Sequence, residues 1–430
     1  MKIVTKLHRS LVLLGLGLGA LVAPAVAGAT PSITTVAPAK VTIGGAATVT
    51  GTVDTLVAGE TVHLEQQLDG AWTQVGIATV TTAGGAWKVA WRPSRGGALR
   101  AVQTTGSLGV SAPATIAVAP KVLSARLAGG TVYPFLGTTA VWKVAPATWS
   151  GKVRVNISID GRAAGWTTGR ARNGLATVRV PTNGAGRFRF QLVLPRTSDF
   201  TQVGDTRLKF SVRGSRVGPA ASSMWVRSLR AGLKFRGIYT TSRGGYDSRF
   251  GDTVIAFHKA YGRSRTTTFE ASDWTLLTHK RIAVRYPGAG AHIEIDKGRQ
   301  ILMQVKDGKA WAVIHISSGR TGNTPAGHHK INWKGNWVPS LYDSLLYKSM
   351  SFQGAYAIHG YPSVPTTAAS HGCVRVPMWI AAWLYANSPV GEDVYIYEGP
   401  GSTTTSVGRS RHADTPELTG VDPATWADER

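Results

Sequence analysis

The chain has 430 residues, carries 48 Lys and Arg against 23 Asp and Glu for a formal charge of +25, and contains a single cysteine. That length is more than one hydrophobic core accommodates and implies two to four domains. One cysteine excludes an internal disulfide framework, and the excess positive charge bears on partners and solubility, not on fold.

Residues 1–27 read as a secretory signal peptide. Lys2, Lys6 and Arg9 form a basic start, Leu11 to Val22 an apolar run, and Ala25-Val26-Ala27 a small-x-small cleavage site. An uncleaved anchor is the alternative. No later stretch approaches the roughly 18 to 20 apolar residues that a membrane span requires. The mature chain is therefore expected outside the cytoplasm, secreted to the cell wall, with a charge of +22 once those three residues are removed. The polyanions available there are wall polymers and acidic lipid headgroups, and nucleic acid is not an expected partner.

Residues 31–119 and 120–222 read as two β-rich modules. In the first, Val62 and Leu64, and then Trp87, Val89 and Trp91, alternate with polar residues. In the second, Val153, Val155, Ile157 and Ile159 alternate, as do Phe188, Phe190, Leu192 and Leu194, and Leu208, Phe210 and Val212. Strand spacing and Gly-rich turns predict two immunoglobulin-like β-sandwich modules, with no cluster of catalytic residue types in either.

Residues 223–278 change period. Val226, Leu229 and Leu233 form a helical stripe, Asp252 is placed to cap a second helix carrying Val254 and Phe257, and Trp274, Leu276 and Leu277 form a third apolar segment. The run Leu229-Arg-Ala-Gly-Leu233, then Phe250-Gly-Asp-Thr253 to Phe257, then Trp274-x-x-Leu277 resembles the small three-helix peptidoglycan-binding module. Arg230 and His258 stand where that family has glutamines.

Residues 289–398 return to strands: Ile293 and Ile295, Leu302 to Val305 beyond a turn at Asp296-Lys297-Gly298, Ala312 to Ile316, and Tyr395 with Tyr397. Residues 399–430 lose periodicity and are expected to be disordered.

The chemistry centres on His359-Gly360 and Ser370-His371-Gly372-Cys373-Val374-Arg375. A thiol attacks a carbonyl as the thiolate, so it requires a base, and both His359 and His371 are candidates. In an extended segment His371 shares a face with Cys373, whereas His359 arrives from a neighbouring strand. Gly372 permits a sharp bend and leaves the N–H groups of Gly372 and Cys373 able to face a developing oxyanion. A zinc site built from two histidines and the cysteine, with His328 or His329 as fourth ligand, is the other reading, although the spacings of metal motifs are missing.

The signature His359-Gly360, ten residues later Ser370-His-Gly-Cys-Val-Arg375, together with Ser318-Gly319 and Thr324-Pro-Ala-Gly327, resembles the L,D-transpeptidases, the YkuD-type catalytic domain. The resemblance covers residues 289–398. It implies a mainly β catalytic domain in which Cys373 is the nucleophile and His359 its base, oriented by the carbonyl of Gly360. His371, Gly372 and Ser370 shape the nucleophile loop, and Arg375 contacts substrate or braces the loop. Ser370, Arg375, Gly360 and Tyr347 form the expected substrate-binding set, with Tyr342 as an alternative to Tyr347. The implied reaction releases D-alanine from peptidoglycan tetrapeptide stems through a thioester and forms 3→3 cross-links, without metal or organic cofactor. Penem-type β-lactams are the implied inhibitors. An L,D-carboxypeptidase acting on the same stems and a non-catalytic wall-binding protein are the alternatives.

Overall fold

The structure is a computed structural model that describes residues 33–54, 58–81, 85–105, 109–342 and 344–399. The expected signal peptide (1–27) lies outside the described residues, as does the expected disordered tail beyond Gly399. The chain divides into two compact units, Met1–Val118 and Ala119–Arg430.

The first unit contains β1 (Lys40–Thr42), β2 (Ala47–Thr52), β3 (Thr61–Leu68), β4 (Ala71–Thr79), β5 (Ala86–Trp91), β6 (Gly97–Gln103) and β7 (Ala114–Ala119). A five-stranded sheet ordered β1-β7-β6-β3-β4 and a two-stranded sheet β2-β5 share one core. Period-2 alternation places Val62 and Leu64 of one sheet, and Trp87 and Val89 of the other, inside it.

The second unit begins with β8 (Lys121–Ala128), β9 (Thr138–Ala145), β10 (Gly151–Ile159), β11 (Arg162–Arg172), β12 (Leu175–Val180), β13 (Gly186–Leu194) and β14 (Val203–Val212). The expected inward residues are buried, from Val153 to Ile159, from Phe188 to Leu194, and at Leu208 and Val212. The two separate sheets of an immunoglobulin-like sandwich are not what forms. All seven strands join one antiparallel ladder, β14-β13-β10-β11-β12-β9-β8. Arg207 of β14 reaches across to the carbonyls of Val122 and Leu123 in β8, so the sheet curls until its two edges meet.

Helices α1 (Ser223–Phe235), α2 (Ser248–Ala260) and α3 (Asp273–His279) follow. Val226, Leu229 and Leu233 are buried, as their spacing predicts. Asp252 is not the cap of α2. Asp247 is, accepting the Phe250 N–H at 2.8 Å, and Asp252 lies one turn inside the helix, where it accepts the Trp379 indole N–H at 2.8 Å. Arg230 donates to the Gly244 carbonyl and His258 bridges Thr266 and Asp273, so both are engaged within the helical segment. The helices share a single core with Ile301, Met303, Val305 and Val313 of the sheet that follows.

That last region comprises β15 (His292–Asp296), β16 (Ile301–Lys306), β17 (Lys309–His315), β18 (Gly327–Lys330), β19 (Trp333–Pro339), β20 (Leu345–Gln353), β21 (Tyr356–Tyr361), β22 (Val374–Pro377), α4 (Met378–Ala386) and β23 (Asp393–Tyr397). A five-stranded sheet, β17-β16-β15-β23-β18, faces a four-stranded sheet, β19-β20-β21-β22. Ile293, Ile295, Leu302 and Ile314 from the first meet Met350, Phe352, Ile358 and Val374 from the second, with Ile380 and Leu384 of α4 closing the core. Strand β16 is buried on both faces, since Leu302 enters this core while Ile301, Met303 and Val305 turn to the helices. Its near-continuous apolar sequence has that cause.

Candidate active site

Strands β21 and β22 run parallel, and Ile358 pairs directly with Val374. Both are fully buried, so they fix which side of the sheet faces the core. His359 follows Ile358 and Cys373 precedes Val374, so alternation turns both outward, into one cavity of about 850 Å³. Arg375, paired with His359 across the ladder, enters the same cavity.

His359 is 2% exposed. Its Nδ1 lies 3.0 Å from the carbonyl of Gly360. A carbonyl only accepts, so Nδ1 carries the proton and Nε2 keeps its lone pair. Burial, aided by the nearby Arg375 charge, pushes this imidazole down to about 4, against the opposing effect of the Gly360 hydrogen bond. Cys373 is partly exposed, and its Sγ lies 3.6 Å from the Ala355 carbonyl. Burial raises the thiol, with a backbone interaction at Ala357 and the Arg375 charge acting in the opposite sense. Both groups are therefore neutral near pH 7.

The loop before Cys373 is held by hydroxyls. Ser370 Oγ donates to the Cys373 carbonyl at 2.5 Å and accepts the Gly372 N–H at 3.1 Å. The Gly372 N–H is thus engaged inside the loop, which corrects the expectation that it faces an oxyanion. A Cβ at Gly372 would stand 2.4 Å from Tyr356 Cε1, so the close approach itself requires glycine. Thr324 Oγ1 accepts the Gly319 N–H and donates to the Gly372 carbonyl, both at 2.7 Å. Ser317 exchanges two backbone hydrogen bonds with Arg375. The Ser318-Gly319 and Thr324-Pro325-Ala326-Gly327 segments thereby support the Cys373 loop from behind.

Two expected substrate-binding residues do not line the cavity. Gly360 faces α4, where an added Cβ would lie 2.7 Å from Ala381 Cβ and 2.9 Å from Tyr347 Cδ1. Tyr347 pairs with Gly360 across the β20–β21 ladder and so shares that α4 side, its ring against Trp337 at 4.7 Å. Tyr342 lines the cavity instead, stacked on His371 with centroids 4.0 Å apart. His371 is exposed at the mouth. Ser370 and Gly372 also line the cavity, and the Arg375 guanidinium sits 4.2 Å from the centre of the Tyr361 ring.

The sequence reading missed the opposite wall, formed by Trp333, Lys334, Trp337 and Leu346. The alternation of Trp333, Gly335, Trp337 and Pro339 was the available signal for a strand there. Among the described lining residues, Lys334 and Arg375 are cationic and no carboxylate occurs. His328 and His329 lie on β18, away from the cavity lining, and His328 binds Asp393 at 2.8 Å. No group of three or more His, Cys, Asp and Glu side chains placed to hold a metal ion occurs among the described residues.

Residues 290–396 match the family model of the L,D-transpeptidase catalytic domain, YkuD. The chain carries an L,D-transpeptidase catalytic domain. Comparison with curated proteins finds no match. Among solved structures, an L,D-transpeptidase from Xylanimonas cellulosilytica is 29% identical over 44% of this chain and 99% of its own, with a TM-score of 0.40. An L,D-transpeptidase from Stackebrandtia nassauensis is 20% identical over 45% of this chain and 100% of its own, at 0.30. The L,D-transpeptidase LdtMt1, solved in complex with imipenem, is 12% identical over 65% of this chain and 99% of its own, at 0.24. In this chain the L,D-transpeptidase domain takes in both sheets, α4 and every cavity residue named above.

Proposed function

We propose that the protein is a secreted, wall-located L,D-transpeptidase that forms 3→3 peptidoglycan cross-links through a thioester on Cys373. The observation that carries this reading is the turning of His359 and Cys373 into one cavity from adjacent parallel strands, with His359 Nδ1 held by Gly360 and Nε2 left as acceptor.

His359 Nε2 takes the Cys373 proton as Sγ attacks the carbonyl of the third, diamino-acid residue of a tetrapeptide stem. Sγ–C forms as the carbonyl electron pair moves to oxygen, where the Cys373 N–H is the donor nearest the new bond. Collapse breaks the C–N bond, and His359 protonates the departing D-alanine amine. The side-chain amine of a second stem then attacks the thioester and gives its proton to His359. The C–S bond breaks, the thiolate recovers its proton from His359, and the new amide is the cross-link. Arg375 lines the cavity beside Cys373 and is positioned to receive a stem carboxylate.

The test is product analysis by mass with a defined tetrapeptide donor and a chosen amine acceptor. The expected result is a cross-linked product and free D-alanine, with neither formed by Cys373→Ala. Tripeptide and D-alanine alone, even with acceptor present, indicate a carboxypeptidase. Unchanged cross-linking by Cys373→Ala removes the thioester mechanism.

A further inference from the structure

The seven-stranded sheet has no part in the mechanism, yet its outer face is built in an unusual way. Lys152 pairs directly with Arg170 across β10 and β11, and Arg189 directly with Lys209 across β13 and β14. Like charges placed directly opposite on a sheet are destabilising. Arg154 and Arg172 extend the first pair along the same strands, and Arg187 extends the second. These four strands are contiguous, in the order β14-β13-β10-β11.

Little within the chain relieves that repulsion. Asp160 approaches Arg187 at 3.8 Å and also binds His279. Lys152, Arg170, Arg172, Arg189 and Lys209 have no ion pair among the described residues. All five are exposed. Strand geometry spaces the groups within each cluster about 5 Å across the sheet and about 7 Å along it. Ser158, not Lys152, stands opposite Arg189, so the two clusters lie about 20 Å apart along the strands and an extended polyanion would cross the face obliquely from one to the other.

We propose that this face docks an extended polyol-phosphate polymer of the cell wall, with its phosphodiesters laid across β11, β10, β13 and β14. Arginine-rich contact suits phosphate oxygens, which guanidinium groups bind through paired N–H donors. The face has no apolar wedge for a bilayer. The large exposed apolar side chains of the whole sheet are Leu123, Trp166 and Leu175, of which only Trp166 stands on these four strands, and Arg154 covers its ring at 4.9 Å. One covered indole is also no platform for stacking successive bases. The choice of a wall polymer rests on the proposed wall function, while the charge pattern stands independently of it.

The experiment measures binding of the full chain, wild type and Cys373→Ala, to purified poly(glycerol phosphate) at several salt concentrations. Catalysis does not enter this readout, so it separates the docking proposal from the cross-linking reading. Both proteins are expected to bind alike, more weakly as salt rises. Replacing Lys152, Arg170, Arg189 and Lys209 together by Glu is expected to weaken binding on the order of 100-fold. A control replacing the exposed Lys40, Lys88, Lys306 and Lys309 by Glu is expected to change it only a few-fold. Equal loss in the control overturns the proposal, because net charge alone then explains binding. Binding to phosphatidylglycerol vesicles or single-stranded DNA as tight as to the polymer also overturns it. Should the Glu set fail to fold, the corresponding Gln set carries the same expectation. The single exchange Arg189→Glu, which places opposite charges across β13 and β14, is expected to raise Tm, and a lowered Tm contradicts the assigned repulsion.

Discussion

His359 donates its Nδ1–H to the carbonyl of Gly360, the next residue on its own strand, at 3.0 Å. The ring is therefore oriented by backbone and not by a carboxylate. No negative charge stabilises an imidazolium there, and burial disfavours one further. The raised Cys373 thiol completes the picture of a resting pair that is neutral on both sides.

This makes a prediction about alkylation. In an enzyme with a preformed thiolate–imidazolium pair, iodoacetamide reacts at a rate that levels off well below neutrality. Here the rate at Cys373 is expected to be low at pH 7 and to climb through the alkaline range as the thiol itself ionises. A plateau reached near pH 5 would show the ion pair to be preformed. On the proposed mechanism, turnover in contrast persists down to about pH 4, where His359 becomes protonated and loses its acceptor.

The two histidines of the motif are separable by substitution. His371 is exposed and stacked on Tyr342, whereas His359 is buried beside Gly360. His371→Phe keeps an aromatic partner for Tyr342 and is expected to retain activity within a few-fold. His359→Gln is expected to lower kcat by roughly 10² to 10⁴, the usual worth of a positioned general base. Comparable losses in both variants would reject the assignment of His359 as the base.

Much of this was legible in the chain. Strict alternation from Val153 to Ile159 and from Phe188 to Leu194 revealed strands because one side of each is buried, and the helical stripe of α1 was equally plain. The pairing of those strands into one curled ladder was not, because alternation reports which face is buried and says nothing about which strand lies alongside. Tyr347 was misplaced for a related reason. Whether it faces the cavity or α4 is set by its register with Gly360, and a bulge at Lys348, with φ of +52°, interrupts β20 just beyond it. Asp252 was mistaken for a cap because Asp and a following apolar residue look alike at the start of a helix and one turn within it.

Thr324 acts through the Cys373 loop and is a positioning residue. Thr324→Val preserves shape but leaves the buried Gly319 N–H and Gly372 carbonyl without their partner, at a cost of about 2 to 3 kcal/mol in stability. The loop is expected to lose its set position, so kcat falls more than tenfold while KM changes little. Thr324→Ser retains the hydroxyl and is expected to restore most of both. Loss of stability with unchanged kcat in the Val variant would leave Thr324 a purely structural role.

Lys259 joins α2 to the catalytic sheet from a buried position, donating to the Ile316 carbonyl and to His315 Nδ1, both at 2.7 Å. Burial, reinforced by Arg265, pushes its amine down to about 6 despite the opposing Asp252 charge. His315 is likewise held well below its ordinary value by burial, and then by Lys259. Between pH 6 and about 10 the unfolded chain holds a proton on Lys259 that the folded protein has released, so this group contributes stability that grows as pH rises across that window. In Lys259→Met that contribution disappears, and the lost hydrogen bonds cost a pH-independent amount instead. The two proteins' Tm curves are therefore expected to converge or cross on the acid side, with wild type gaining on the variant from pH 6 to pH 9.5. Parallel Tm curves across that range would mean the amine stays charged inside the fold.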